Sequence, residues 1–311
     1  MTNLIKIIGR IFGYVSEWTW ILILICLFAI RTSTIQTYLT QIVANFLSEE
    51  LNTKIDVKRV SIVNLDEIAF DGVLIKDQKQ DTLAYIHTIY ISINKIIPKN
   101  IYDINEIDIQ GGAFHLYKKN EQYNFQFIKD YFSSNKKGKK NDVETILDQL
   151  ELSNLEFKYQ DFDIPKTSFG IDYHHLHIKN IHLEANRVKL LGDLNKAFIK
   201  KLSFDEVLSG FQLTNLTCQA KISSKGIHTR RLNIQTAKSK IYAPYFKLST
   251  SSLKDLKHFN EKVTFNGKVF ESKISTYEIA LFAPSLEGMD NEIILKGDVN
   301  NKVNNLKIDN L

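Results

Sequence analysis

The chain has 311 residues, of which 44% are hydrophobic and 24% charged, so it is long enough to bury a large core. Its formal charge of +5 is the small difference between 40 basic and 35 acidic residues, which argues against a nucleic-acid-binding protein. Only two cysteines occur, Cys26 and Cys218, so a disulfide framework is excluded and both are interpreted as small buried hydrophobic residues.

The first strong feature is an uncharged apolar run from Trp18 to Ile30. A helix of that length spans only about 20 Å of a hydrocarbon core of about 30 Å, so a membrane helix must extend back to Ile11. Two basic residues precede the run and only Arg31 follows closely, which predicts a cytoplasmic N-terminus. A cleaved signal peptide is the alternative, but no small residues form a cleavage site. The predicted anchor residues are Trp18, Trp20, Ile21, Leu22, Ile23, Leu24, Ile25, Leu27, Phe28 and Ile30.

Residues 32–52 are predicted to form an amphipathic helix. Apolar residues recur at helical spacing from Ile35 to Leu51. Such a face either lies on a membrane or closes the end of a β core. The polar face carries no lysine or arginine, which disfavours binding to anionic lipid and favours a helix that closes a β core.

From residue 53 onward the hydrophobic pattern has a period of two, which predicts many strands in a mostly antiparallel sheet. One phrase recurs in it: two apolar residues at a spacing of two, a Gly or Asn, and two further apolar residues at the same spacing. Full copies span Ile68–Ile75, Leu150–Phe157, Leu176–Leu183 and Phe211–Cys218, and looser copies begin at Ile55, with Arg59 in the hinge position, at Ile107, and at Leu306, where the chain end interrupts the phrase.

The phrase contains a shift of phase. Leu152 and Leu155 are three residues apart, so they would point to opposite faces of a straight strand. An extra residue at Asn154, where Gly or Asn tolerates a positive φ, restores one apolar face. We therefore predict bent strands with a single apolar side. The residues predicted to line it are Ile68, Phe70, Val73, Ile75, Leu150, Leu152, Leu155, Phe157, Leu176, Ile178, Ile181 and Leu183.

Residues 133–142 are polar and rich in lysine, and they are predicted to form an exposed loop between two segments of one sheet. The predicted fold is mainly β: a transmembrane helix and an amphipathic helix, followed by an elongated, curved, mostly antiparallel open sheet. The predicted parts are the anchor (1–31), the capping helix (32–52), the first sheet segment (53–132), the loop (133–142) and a second, truncated sheet segment (143–311).

No catalytic motif is present, since the chain lacks a Gly-rich phosphate loop, a Cys-x-x-Cys pair and a zinc-protease motif. We therefore expect no enzyme activity and no cofactor. His175 and His177 would share a strand face and could hold a metal weakly, but no third ligand is evident, so a solvated face is preferred. Asp77 and Asp81 are interpreted as parts of a turn rather than of a calcium loop.

The order of an apolar anchor, an amphipathic helix and bent strands resembles the N-terminal part of the TamB family, within the wider AsmA-like group of envelope proteins. Three short stretches carry this resemblance, namely Leu51–Val57, Lys76–Leu83 and Tyr123–Ile128. The family also has a conserved C-terminal domain that this chain lacks, so the chain is interpreted as a truncated copy or a short relative.

The resemblance implies a single-pass inner-membrane protein with a periplasmic β groove that carries phospholipid. Acyl chains would slide along the apolar face while head groups stay in water, and the missing region would contact an outer-membrane assembly partner. Two alternatives remain open from the residues alone. One is an assembly factor that templates outer-membrane strands through its sheet edges, and the other is a closed β sandwich.

Overall fold

The computed structural model describes residues 19, 32–64, 66–97, 101–134, 144–191, 193–252, 262–302 and 307–309. The predicted anchor residues, Cys26, most of the Lys-rich loop and the hinge of the last copy of the phrase lie outside these residues. Within the described ranges, no helix combines the length and the apolar character needed to span a membrane.

The described residues form strands with three helices between or beside them. In chain order the elements are α1 (Ser33–Leu51), β1 (Ile55–Ile62), β2 (Glu67–Lys76), β3 (Thr82–Ile97), β4 (Ile101–Lys119), β5 (Gln122–Tyr123), α2 (Gln126–Ser134), β6 (Glu144–Asp161), β7 (His175–Leu191), β8 (Leu194–Glu206), β9 (Gln212–Ser223), β10 (Gly226–Thr236), β11 (Lys240–Ser249), β12 (Thr264–Ser275), α3 (Thr276–Phe282), a 3₁₀ turn (Pro284–Leu286), β13 (Glu292–Lys302) and β14 (Lys307–Asp309).

All described strands belong to one open sheet, in the order β1-β2-β3-β4-β6-β7-β8-β9-β10-β11-β12-β13-β14, with β5 paired to the end of β4. The prediction of a mainly β, mostly antiparallel sheet is confirmed. One pair is parallel, β4 with β6, and it joins the two predicted sheet segments without a break. Ser133 and Ser134 belong to α2, so the predicted loop begins too early in the chain. Parallel neighbours need a long crossover, which the connection through α2 supplies.

The positive φ expected at the hinge occurs at four of the hinge positions that the structure describes. At Arg59 and Asn215 that expectation is wrong, although the phase still changes there: Val57 and Val60 are both buried, and the register of β9 shifts beside Asn215. Positive φ angles occur at Gly72 (+62°), Gly111 (+63°), Asn154 (+53°) and Asn180 (+53°).

The shift keeps the apolar side chains on one face. Phe70 and Val73 flank the hinge of β2 at odd spacing, yet both pack in the same hydrophobic cluster. Between β6 and β7, Leu152 faces Leu183 and Leu155 faces Ile181, with one extra residue on β6 between the two pairs. The extra residue is the bulge that the phrase predicts.

The hinges of the first five neighbouring strands share one row. The register places Gly72 opposite both Lys58 and His87, and it places Gly111 opposite His87 and beside Asn154. A Cβ atom on Gly111 would lie 2.5 Å from His87 Nδ1, so this close approach requires glycine. The strands β1, β2, β3, β4 and β6 therefore change phase together.

Two hinges were missed in the sequence. Arg187 on β7 and Arg231 on β10 have φ angles of +53° and +52°. Each stands in the hinge position of an imperfect copy of the phrase, Leu183–Leu190 and Ile227–Ile234, where the residue is neither Gly nor Asn. The register of both strands shifts at these points.

Three hydrophobic clusters lie on the apolar face. The first is centred on β1, β2 and β3 beneath α1, the second on β9, β10 and β11, and the third lies where α3 and residues 169–171 pack on β8 and β9. Cys218 is buried in the second cluster, as predicted, and burial raises the pKa of its thiol. The first and third clusters, which are covered by α1 and by α3, therefore lie at two separate places on one sheet.

Helix α1 closes the edge of the sheet, and it ends at Leu51 because Asn52 adopts a left-handed conformation with a φ of +47°. The hydroxyl oxygen of Thr40 accepts a hydrogen bond from the N–H of Val60 at 2.8 Å, and that of Ser48 accepts one from the N–H of Ile55 at 3.0 Å. These donors belong to the edge strand β1. The prediction that the helix closes a β core is confirmed.

Only part of the predicted apolar face of α1 is buried. Val43, Leu47 and Leu51 pack on the first cluster, whereas Tyr38 and Phe46 are 64% and 59% exposed. The rest of the apolar face of α1 is therefore in contact with water. The periodic pattern spans a wider arc of the helix than the sheet edge can cover.

Replacing Thr40 by valine tests the edge closure. A valine at position 40 would keep the shape of the threonine side chain but would remove the acceptor for the N–H of Val60. We therefore expect the free energy of unfolding to fall by about 1–3 kcal/mol. Chemical denaturation measures the change. Thr34→Val, at an exposed position of the same helix, serves as the control. Equal midpoints for the two variants would show that the hydrogen bond does not stabilise the edge.

The hinges allow a second comparison, since Asn154 and Asn215 occupy the same position of the phrase and only Asn154 has a positive φ. We expect Asn154→Val to destabilise the protein by about 1–2 kcal/mol, because a β-branched residue resists the left-handed region. Asn215→Val should have a much smaller effect, and Asn154→Gly should be tolerated. Urea unfolding of the three variants measures these differences, and equal losses at both asparagines would contradict the hinge assignment.

Candidate functional site

The middle of the apolar face lies on β6 and β7, between the covered clusters. Opposed side chains form it: Leu152 faces Leu183, Leu155 faces Ile181, and Phe157 faces Ile178. Leu155 is buried and the others are half-buried, and none of them belongs to the three hydrophobic clusters described above. We call this surface the apolar strip, and it consists of Leu150, Leu152, Leu155, Phe157, Leu176, Ile178, Ile181 and Leu183.

The apolar strip is continuous with both neighbouring parts of the face. On one side, Ile109 and Phe114 of β4 lie beside Leu152 and Phe157, and both also contact the cluster beneath α1. On the other side, Leu183 faces Leu202, which packs in the cluster beneath α3. The strip is therefore the middle section of a longer apolar surface.

The twelve residues predicted to line an apolar face fall into two groups. The eight on β6 and β7 form the strip. The four on β2 belong to the cluster beneath α1, where Val73 is buried and the other three pack against the core. A ligand on the open part of the face would therefore meet the β6 and β7 residues, and the β2 residues are covered by the helix. The four covered residues are Ile68, Phe70, Val73 and Ile75.

The opposite face of the same strands is polar. Glu151 faces Glu184 across β6 and β7, and Lys158 faces His177. Burial raises the pKa of Glu106 on β4, and the carboxylates of Asp108 and Glu151, among others, raise it further. The sheet therefore separates an apolar surface from a charged one, with nothing but its own thickness between them.

The two histidines singled out in the sequence have separate partners. His177 Nε2 lies 2.7 Å from Glu156 Oε1, and this contact lowers the pKa of Glu156. His175 is buried, and its Nδ1 lies 2.9 Å from Asp172 Oδ2, so the prediction of a solvated position is wrong for His175. Within the described ranges, no three His, Cys, Asp or Glu side chains are grouped so that they could hold a metal ion.

Buried carboxylates organise the turns at one end of the strands. Asp77 accepts hydrogen bonds from the N–H groups of Lys79 and Asp81, which confirms the predicted turn. It also accepts one from the hydroxyl of Tyr117, and burial together with this bond raises the pKa of Tyr117 to about 12. Glu206 plays the same part in the turn after β8, where it accepts the N–H of Ser209 at 2.7 Å.

Small recesses occur at this end of the strands, and one of them includes Leu176 of the apolar strip. The largest described has a volume of about 340 Å³ and is lined by Tyr117, Phe162, Lys119, Lys158 and other polar residues. We place the candidate site on the strip because its apolar side chains form a continuous surface that lies outside the three hydrophobic clusters.

A comparison with protein-family models and a comparison with curated proteins both find no match for this chain. The resemblance to the TamB family therefore stays a prediction that rests on the residues quoted for it.

Asp172 provides a test of the turn structure that supports β7. Burial opposes its charge, but hydrogen bonds from the N–H groups of Thr167 and His174 and from His175 lower its pKa below the ordinary value of 3.8. Folding thus favours the ionised carboxylate, so its contribution to stability is complete above the ordinary pKa and is lost as the pH falls through the lowered one.

We expect Asp172→Asn to lower the free energy of unfolding by about 1–3 kcal/mol at neutral pH. The difference from the unmodified protein should shrink as the pH falls below about 4. Urea unfolding at several pH values measures both effects. Asp66→Asn, at an exposed position, is the control, and a difference that does not depend on pH would contradict the assigned role of the charge.

Proposed function

We propose that the apolar strip binds the acyl chains of phospholipids. The observation that carries the proposal is a set of eight apolar side chains on two adjacent strands, seven of them half-buried, that lie outside the three hydrophobic clusters. Exposed apolar surface that is continuous over several residues is uncommon in a folded protein and is typical of binding surfaces.

The dimensions suit one acyl chain. The stretch from Leu150 to Phe157 covers seven residue intervals of one strand, a length of about 23 Å. Half of a hydrocarbon core of about 30 Å, the distance one acyl chain spans in a bilayer, is shorter than this. A chain laid along the strip would remove apolar surface from water on both partners, which stabilises the complex by about 25 cal/mol per Å².

The arrangement suits carriage rather than chemistry. Because the hydrophobic effect is not directional, an acyl chain can move from one part of the face to the next with little change in free energy. Clusters of apolar side chains beside the strip extend the same surface in both directions. A head group would remain in water at the edge of the sheet.

Within this proposal the protein belongs to the TamB and AsmA-like group, is anchored in the inner membrane by residues 18–30 and acts in phospholipid transport or outer-membrane biogenesis from the periplasm. The apolar run in the sequence and the single-sided sheet support this placement. Templating of outer-membrane strands through the β1 edge is less well supported, since Thr40 and Ser48 occupy two of its N–H groups.

A photocrosslinking amino acid placed in the full chain in cells tests the proposal. We expect positions 152 and 178, on the apolar strip, to capture phospholipid that is detected by mass spectrometry. Glu151 and Lys179 are their direct neighbours on the polar face and serve as matched control positions. Absence of lipid at positions 152 and 178, or equal capture at all four positions, would refute lipid binding by the strip.

A further inference from the structure

A row of basic side chains crosses five neighbouring strands on the polar face. Lys189 of β7 faces Lys196 of β8, and Lys196 faces Lys221 of β9. Lys221 faces His228 of β10, which in turn faces Lys247 of β11. Since neighbouring strands lie about 4.8 Å apart, the row is about 19 Å long. We call these five residues the cationic row.

The cationic row lacks compensating charge. None of its members forms an ion pair with a carboxylate in the described part of the chain. Like charges directly opposite each other destabilise a sheet. Burial lowers the pKa of His228, and the charges of Lys247 and Lys221 lower it further. An anionic partner would remove this repulsion.

Apolar side chains stand at the same strand ends as the cationic row. Leu190 and Ile222 directly follow Lys189 and Lys221 on their strands and so project from the apolar face, whereas Leu194 shares the face of Lys196. Leu190 and Ile222 are 45% and 43% exposed, and Leu194 at the start of β8 is also exposed. Asp193 between β7 and β8 accepts hydrogen bonds from the N–H and the hydroxyl of Ser224, both at 2.9 Å, and so ties two strand ends together. We call Leu190, Leu194 and Ile222 the apolar tips.

The polar face is divided by charge. Strands β4 and β6 carry acidic groups, and the repulsion among Glu106, Asp108 and Glu151 is strong enough to contribute to the raised pKa of Glu106. The cationic row begins at β7, on the other side of this acidic region. An anionic surface would therefore be attracted to the β7–β11 part of the face and repelled by the β4–β6 part.

The chain enters the sheet from the same end. Helix α1 runs antiparallel to β1, because Thr40 is hydrogen-bonded to Val60 and Ser48 to Ile55. The first residue of the helix, Ser33, therefore lies toward the C-terminal end of β1. The end of β1 and the end of β7 lie on the same side of the sheet, because both strands run in the same direction. The predicted anchor would therefore reach the membrane at the end where the row and tips lie.

We propose that the cationic row and the apolar tips dock on the surface of an anionic lipid bilayer. Lysines near a membrane are attracted to anionic head groups, and apolar side chains beside them can enter the boundary with the acyl region. A nucleic acid backbone would use the row but offers nothing to the tips, and the row contains no arginine for bidentate contacts. The surface is the end of the strands, with the row on the polar face and Leu190 and Ile222 on the apolar face, and none of its residues belongs to the apolar strip.

The test uses the full chain with an environment-sensitive fluorescent amino acid at position 223, two residues beyond Lys221, or at position 208 at the opposite strand ends. The protein is combined with vesicles of phosphatidylcholine alone or of phosphatidylcholine with phosphatidylglycerol. We expect a blue shift at position 223 only with phosphatidylglycerol, and none at position 208. The shift should disappear at about 0.5 M salt, where the Debye length falls to about 4 Å.

Removal of charge from the row provides the matched comparison. The double variant Lys196→Gln, Lys221→Gln should reduce the ratio of docked to undocked protein about 25-fold, because the loss of each lysine reduces this ratio about five-fold. Lys58→Gln with Lys166→Gln removes the same charge from exposed positions elsewhere and should leave the ratio unchanged. Retained lipid crosslinking at positions 152 and 178 in the row variant would separate a loss of docking from a failure of the strip.

Three outcomes would overturn the proposal. They are no blue shift at position 223, an equal shift with phosphatidylcholine alone, and equal losses in the row variant and its control. Row-dependent binding of a single-stranded oligonucleotide, with position 223 still in water on anionic vesicles, would assign the surface to nucleic acid and also overturn it.

Discussion

The structure depends on one constraint: a single bent sheet must keep its apolar side chains on one side. Strand geometry alternates faces at every residue, so a strand that bends would turn half of its apolar residues into water. The residues with positive φ at Gly72, Gly111 and Asn154 solve this by inserting a change of phase. Because these hinges lie in one row across neighbouring strands, the strands change phase at the same level. Regular pairing between the strands therefore continues on either side of the row.

A single sheet with one apolar face has no second layer, so something else must cover that face. Helix α1 covers it at the β1 edge, and α3 with residues 169–171 covers it near β8 and β9. The stretch between them, on β6 and β7, belongs to neither of these covered clusters. The same feature that makes the sheet incomplete as a core makes it suitable for an apolar ligand, and this is the physical link between the fold and the proposed function.

The polar face has its own organisation. Acidic side chains gather on β4 and β6 and basic ones on β7 to β11, so the face has a charge gradient across the strands rather than an even mixture. Opposed lysines weaken a sheet and are tolerated here because most of them reach water. Lipid contact is proposed on the strip and bilayer contact at the strand ends, and the two surfaces use different main forces: burial of apolar area on the strip and Coulomb attraction along the row.

The sequence by itself determined the features that are local: the period of two, the phase shift at Asn154 and the turn at Asp77, since each follows from the conformational preferences of a few adjacent residues. The prediction of left-handed hinges failed at residues whose conformation is unusual for their type. Arg187 and Arg231 adopt the left-handed conformation, and Asn215 does not. Only the tertiary structure decided the parallel pairing of β4 with β6, the burial of His175, the cover over the β2 residues and the alignment of Lys189, Lys196 and Lys221. These depend on register between strands far apart in the chain, and strand register is set by the packing of whole faces rather than by neighbouring residues.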